Sequence, residues 1–483
     1  MEKTDVSRNQ LITELLRIGH GDLSIYNNIG LKAVASESEL FAHLMAWNAK
    51  KGEVRDSKTA FPVLALRGAP DDELYENAIA HLCQLDPRNL LKAIYYHRTL
   101  PALNGTGVGQ TLKKNVKRYI QVREQNRGWW DKTVLQHRKS MKALYALFHV
   151  QPRPFAQKIL FQGVYPPNSI FTAVKQLKNM DVQEAAGTIL NKKIPFTIAV
   201  GALGGIKDKP DIILALLERM SGAELITNTK MLKRFGVFES PTLKSAYDSA
   251  IERTKKDKVS TLKAGKAASA VTDKKASGKL KQIQEDRLAQ LGGIEGDWLV
   301  LGDKSGSMGT SIEVAKQIAS LIAQQVKGSV HLVFFDTSPT YYDVTNKTLD
   351  EIQAMTSRIQ AIGGTSIGCG LDLIYNKGII INGIAICSDG GDNTKSEFHQ
   401  SYPKYAAKFG MEPTVYHFYV PGDQDALTAN CNNARILVER FDLGQNVDYV
   451  SLPQIILTMR ENRYQLVQEI LDVPLLTLNE VFG

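Results

Sequence analysis

The hydrophobic pattern changes its period once, and no other feature limits the fold so strongly. From about residue 10 to 250, apolar residues recur every three or four positions, as in Asn9–Leu16, Leu40–Trp47 and Asp211–Leu217. That is the spacing of one helix face. Clusters rich in Gly, Pro and Asn separate the segments, among them Gly68-Ala69-Pro70 and Tyr165-Pro166-Pro167-Asn168, and such residues mark turns. Many helices with short connections predict a stack of antiparallel pairs, an α-solenoid with degenerate repeats. From Asp297 onward the chain reads differently. Trp298–Leu301, Val330–Phe335, Ile381–Cys387 and Thr414–Val420 are short apolar runs rich in β-branched residues, with helical stretches at Ser311–Val326, Leu349–Gln360 and Leu452–Glu469. Strands of buried character alternating with helices predict a parallel, doubly wound sheet. Such sheets hold ligands at the carboxyl ends of their strands.

Charge follows the same division. Residues 1–300 carry 46 Lys and Arg against 30 Asp and Glu, whereas residues 301–483 carry 13 against 20, within a total of +9. A basic helical part points to a polyanionic partner, although solvated helix faces give the same count. Residues 101–150 hold ten Lys and Arg against Glu124 and Asp131, with Tyr119, Trp129, Trp130 and Tyr145 among them. Rings between cations can stack on unpaired bases while the cations hold phosphates. The competing reading makes these rings repeat core; it is preferred for Tyr145 and Phe148, on an apolar face, and balanced for Trp129 and Trp130. Residues 253–281 hold ten Lys and Arg against Asp257 and Asp273, among Ala, Ser and Gly. That composition suits a linker or a charged helix over 251–295, a solvated linker being preferred to nucleic-acid contact.

Several classes are disfavoured. No run of about 18 apolar residues is present, so no membrane-spanning helix is expected. Met1–Asp5 is too polar for a secretory core. Cys83, Cys369, Cys387 and Cys431 lie far apart without a C-x-x-C pair, which argues against a zinc ribbon or a disulfide framework and for a cytoplasmic protein. Asn104–Gly109 is glycine-rich, but no G-K-[ST] follows it, and no zinc-protease or nucleophile-elbow spacing occurs, so the chain is not expected to be an enzyme.

Three clusters follow strand ends: Asp303-Lys304-Ser305-Gly306-Ser307, Gly363-Gly364-Thr365-Ser366, and Ser388-Asp389-Gly390-Gly391-Asp392. Carboxylate and hydroxyl oxygens are hard ligands, suited to Mg²⁺ first and then to Mn²⁺ or Ca²⁺. The motif D-x-S-x-S, then Thr365, then Asp389 resembles the metal-ion-dependent adhesion site of von Willebrand factor A domains. The resemblance implies direct ligation by Ser305, Ser307 and Thr365, with Asp303 and Asp389 acting partly through water and one position open to a partner's acidic group. The competing reading is loops that merely cap helices.

An α-solenoid followed by such a domain is similar to the layout of the TROVE family, the Ro autoantigen and its bacterial relatives. Gly109–Arg118 resembles the family's glycine-led basic helix, and Leu147–Pro152 its L-S-H-x-K-P segment. Lys175–Met180 and Lys193–Ile198 resemble two further segments. The resemblance covers nearly the whole chain. It implies an all-α, HEAT-like helical repeat ring over 10–250, then the basic linker or helix, then an α/β von Willebrand factor A-like domain over 296–483. It also implies an RNA-binding scaffold for quality control or processing, taking Y-like RNA on a basic outer surface and single-stranded ends of misfolded RNA in a central hole. The family's Y-RNA histidine falls on His149; its basic partners lie upstream at a longer spacing, so Arg138, Lys139 and Lys142 are candidates rather than matches, and Lys113, Lys114, Lys117 and Arg118 of the glycine-led basic segment join them as RNA-binding candidates, with the A domain open to a nuclease or another protein. A monomer is expected. Two rivals stay open: a metal-dependent protein-interaction scaffold that ignores RNA and, further off, a metal-dependent nuclease acting at Asp303 and Asp389.

Overall fold

The computed structural model describes all residues except 1–7, 9, 10, 13, 17, 19, 20, 53, 101–108, 255–258, 291–293, 307, 423, 424, 444–458 and 460–462. It divides into two compact units, Met1–Gln284 with Val467–Gly483, and Glu285–Leu466. The glycine-rich segment Asn104–Val108 and the first half of the expected C-terminal helix lie outside the described residues.

The first unit begins with α1 (Asn27–Ser36), α2 (Ser38–Lys51), α3 (Arg55–Gly68), α4 (Asp72–Gln84) and α5 (Pro87–Thr99). It continues with α6 (Gln110–Gln125), α7 (Arg127–Leu147), α8 (Ile170–Gln176), α9 (Val182–Lys192) and α10 (Phe196–Leu203). Then come α11 (Pro210–Arg219), α12 (Gly222–Arg234), α13 (Pro241–Glu252), α14 (Thr261–Ala270) and α15 (Lys274–Gln290), the last of which belongs to this unit as far as Gln284. Helix starts are written in the residue types. Asp71, Asp86, Asn126, Asp181, Ser221 and Ser240 each accept a first-turn backbone N–H, which satisfies donors the helix itself cannot. Alternate helices stack: α1 on α3, α3 on α5, α5 on α7, α9 on α11, α11 on α13, and α12 on α14. Adjacent helices such as α3 and α4 also pack together, so these helices bury their apolar stripes against both the next element and the one beyond it, as in a two-layer solenoid.

Residues 261–270 and 274–290 form α14 and α15 rather than a solvated linker. Ala264, Ala267, Ala268, Leu280 and Ile283 enter a core that runs back to Leu177. Alanines let the helices approach closely, while the lysines stay on the rim, where Lys244 pairs with Asp273 at 2.5 Å and Lys279 with Glu252 at 2.8 Å. The end of the chain, with α21 (Arg463–Leu471) and α22 (Leu478–Phe482), returns to the first helices. Glu469 accepts from the Trp47 indole at 2.7 Å and the Lys51 ammonium at 2.8 Å, and the Asn77 amide donates to the Leu476 carbonyl at 2.9 Å. Residues from Val467 therefore belong with the helical unit, not with the α/β domain over 296–483.

The second unit is a six-stranded sheet: β1 (Trp298–Asp303), β2 (Val330–Phe335), β3 (Thr340–Asp343), β4 (Gly383–Ser388), β5 (Thr414–Tyr419) and β6 (Val438–Asp442), in the order β3-β2-β1-β4-β5-β6. Between the strands run α16 (Gly309–Ala323), α17 (Leu349–Met355), α18 (Ile367–Lys377), α19 (Phe398–Phe409) and α20 (Ala426–Asn433). All pairings are parallel except β2 with β3. The residues joining those two, Asp336–Pro339, are too few for a parallel crossover, which takes a dozen or more. Gly302 lets α16 lie close: a Cβ there would come 2.7 Å from Ala315 Cβ. The strand order reverses between β1 and β4, so the ligand crevice of such a sheet opens beside Asp303 and Ser388.

Candidate functional site

Three loops meet at this crevice. Asp303 ends β1 fully buried, and its carboxylate accepts the Ser305 N–H at 2.8 Å and the Ser388 hydroxyl at 2.6 Å. The Gly306 N–H donates to the Gly363 carbonyl at 3.2 Å, and the Ile362 N–H to the Lys304 carbonyl at 2.7 Å, tying the first loop to the one that carries Thr365. The Thr365 carbonyl in turn accepts from Asn393 at 3.2 Å and Thr394 at 3.0 Å, which brings in the loop after β4. Asp389 accepts the Gly391 N–H at 3.0 Å. Asp303, Ser305, Thr365 and Asp389 are all buried; Ser307 lies outside the described residues.

Electrostatics favour a cation. Burial raises the Asp303 pKa, its hydrogen bonds from Ser388 and Ser305 oppose the rise, and the neighbouring Asp389 charge adds to it. Burial also pushes Asp392 up to about 6, against the hydrogen bonds it accepts from the Phe398 and Ile367 N–H groups. A hard divalent ion would relieve carboxylates crowded into so little water. Lys304, an odd neighbour for a cation in the bare sequence, turns its ammonium to Asp336. The donor set fits a divalent ion held by hydroxyls and carboxylates. Among the described residues no group of three or more His, Cys, Asp and Glu side chains forms a metal cluster, so any metal here depends on Ser and Thr oxygens.

The basic candidates sort differently. Lys113, Lys114, Lys117 and Arg118 are exposed on α6. The Arg118 guanidinium lies 4.5 Å from the Phe482 ring centroid, whereas among the described residues the three lysines have no ion-pair or hydrogen-bond partner. Arg138, Lys139 and Lys142 are exposed on α7. Arg138, however, donates to the Tyr165 hydroxyl at 2.5 Å and the Ile159 carbonyl at 2.9 Å, so it braces the segment after α7. Lys142 lies 5.5 Å from the Phe161 ring centroid. His149 is exposed just past α7 in a left-handed conformation at φ 49°.

The rings divide cleanly. Trp130, Tyr145 and Tyr119 are core; Trp130 donates to the Tyr145 hydroxyl at 3.1 Å, which donates to the buried Glu124 at 2.8 Å. Tyr119, read above as a stacking candidate, gives its hydroxyl to the Leu85 carbonyl at 2.8 Å. Trp129 is 42% exposed with the Arg123 guanidinium 4.2 Å from its ring centroid, a surface ring already faced by a cation. Sequence reasoning set Ser388 in the third strand-end cluster without giving it a role, and it missed Gly422. A Cβ at Gly422 would stand 2.4 Å from Asp389 Oδ2. The signal for Ser388 was its place as the last residue of β4, the neighbour of β1 at the switch point, where carboxyl ends of strands line the crevice.

No family model matches the sequence, and no curated protein sequence does. The structure is similar to the crystal structure of the Ro (RSR) protein of Deinococcus radiodurans, with a TM-score of 0.62 and 13% sequence identity, covering 93% of this chain and 99% of that one. A likeness of that extent shows a shared fold across both the helical part and the sheet.

Proposed function

We propose that the chain is a Ro-like RNA-binding scaffold rather than a catalyst. The observation that carries the reading is the run of partnerless lysines on α6, with further cations on α7, in a fold like that of a Ro protein. Lys113 and Lys117, and likewise Lys114 and Arg118, stand four residues apart, about 6 Å along the axis, a row suited to successive phosphates. Small structured, Y-like RNA would lie on this basic face and be positioned through its backbone. Single-stranded ends of misfolded RNA would enter the central hole that the family resemblance implies. The loops after β1 and β4 would hold Mg²⁺ through Ser305, Ser307 and Thr365, with Asp303 and Asp389 behind them. That ion would receive an acidic group from a protein partner, and a nuclease fits the role of such a partner. No helix among the described residues is long and apolar enough to cross a membrane, and a cytoplasmic site of action fits the reading.

The test is to purify the full chain from its native cells at low salt and sequence what it carries. A small set of abundant structured RNAs is the expected result. Nucleic-acid-free protein that captures a protein in a Mg²⁺-dependent manner would overturn the RNA reading.

A further inference from the structure

A concave site that includes none of the α6 lysines, and none of Arg138, Lys139 and Lys142, has not yet been given a role. It is a pocket of about 390 Å³ between α7, the loop after α9 and the junction of α11 with α12. Its rim carries Lys132, Lys193 and Arg219, all exposed. None of these three side chains has an ion-pair or hydrogen-bond partner among the described residues. The one carboxylate in the lining, Glu224, is turned into the first turn of α12, where it accepts the Ser221 hydroxyl at 3.2 Å. Between the cations the wall is apolar, with Pro195 and Met220 over the buried Phe196. Lys193 is placed by backbone rather than by a partner, at φ 55° at the end of α9.

These features select a ligand class. Three cations facing one occupied carboxylate call for an anion. A bare inorganic anion would leave the apolar wall uncovered, and the volume lies in the range of small-molecule sites. Gln136 also lines the pocket, and a glutamine amide, being both donor and acceptor, can read a polar heterocycle edge. We propose that this pocket binds a nucleoside monophosphate, its phosphate on Lys132, Lys193 and Arg219 and its base against Pro195 and Met220. The group can be a free nucleotide or the phosphorylated terminus of an RNA strand. The second source rests on the RNA-binding reading, and the first does not.

The experiment is titration calorimetry of the full chain with 5′-AMP, adenosine and inorganic phosphate. A companion anisotropy titration uses one short single-stranded RNA with a 5′-phosphate or a 5′-hydroxyl. AMP should bind about tenfold or more tightly than adenosine, as losing charge-assisted bonds demands. It should also bind more tightly than inorganic phosphate. Arg219→Gln and Lys193→Asn should each weaken AMP by about tenfold. Asn tolerates the left-handed backbone better than Lys, so the second variant loses the charge without losing the fold. Lys230→Gln, exposed further along α12, should change nothing. If the 5′-phosphate strengthens RNA binding only when Arg219 is present, the ligand is an RNA end. If AMP binds but the 5′-phosphate makes no difference, the ligand is a free nucleotide. Equal affinity for AMP and adenosine, or an Arg219→Gln chain that binds AMP as well as the parent, overturns the proposal. Because the α6 lysines are untouched, neither result alters the test of the RNA face.

Discussion

Replacing Lys113, Lys114 and Lys117 together by Gln isolates the phosphate-binding role of α6. The three ammonium groups touch no acidic or carbonyl partner among the described residues, so nothing in the fold depends on them. Surface changes of this kind shift stability by less than about 0.5 kcal/mol, and relieving like charges at i,i+4 offsets part of that. On RNA the effect should be large and of one kind. Each neutralised phosphate contributes about 0.7 to 0.9 to the slope of log affinity against log salt. Losing three contacts should flatten that slope by roughly 2 to 3. From 50 to 200 mM KCl the parent would then lose roughly 20- to 40-fold more affinity than the variant. The assay is fluorescence anisotropy with a structured RNA across that salt range, with melting of both proteins alongside. Equal slopes, with both proteins folded, would refute the placement of phosphates on α6. Arg138→Ala is a poorer probe: its guanidinium braces Tyr165 and the Ile159 carbonyl, and a binding defect there would mix two causes.

Three other expectations follow from the geometry. Mg²⁺ at a hundredfold excess over its dissociation constant should stabilise the chain by about 2.7 kcal/mol; Asp303→Asn should abolish the melting shift and Gly422→Ala, which crowds Asp389, should shrink it. Stabilisation that survives Asp303→Asn would place the ion elsewhere. His81 and His97 are buried and held down to about 4 by burial first, with nearby Lys50 and Arg67 respectively adding to it. As pH falls from 6.5 towards 4 the unfolded chain takes up protons that these rings refuse, so stability should drop across that window and level off below it, by at most on the order of 3 kcal/mol for each ring. Urea midpoints at pH 7 and pH 5 measure the drop, and His81→Gln should make it smaller; an identical drop in that variant would clear His81. Glu469→Ala strips the acceptor from the buried Trp47 indole and should cost about 1–3 kcal/mol by chemical denaturation, whereas a neutral result would mean that the returning chain end contributes little to the first unit.

What the sequence disclosed depended on whether the signal was local. The switch in hydrophobic period near Asp297 is local, and the sheet begins at Trp298. The strand-end clusters are local too, because a doubly wound sheet forces the ends of β1 and β4 together whatever lies between them. β3 and β6 are only partly buried, so they lack the continuous apolar run that betrays β2. The return of Glu469 to Trp47 spans more than four hundred residues and leaves no periodic trace. Composition misleads for residues 261–290, where alanine spacing decides and the lysine count does not: Ala264, Ala267 and Ala268 are buried while Lys263 stays exposed.

The rings and cations between residues 110 and 150 make the same point from the other side. Trp129 and Trp130 are neighbours in sequence, yet a helix turns successive residues about 100° apart, so one is core and one is surface. Charge on its own cannot rank cations either. Lys113 and Arg138 are both exposed and both count as +1, but one holds nothing and the other holds the segment after α7 in place. A binding face is therefore assigned by which cations the fold leaves unused. By that criterion α6 is the better candidate for an RNA backbone, and the Lys132–Lys193–Arg219 pocket, drawn from three distant stretches of chain, could be found only once the helices were stacked.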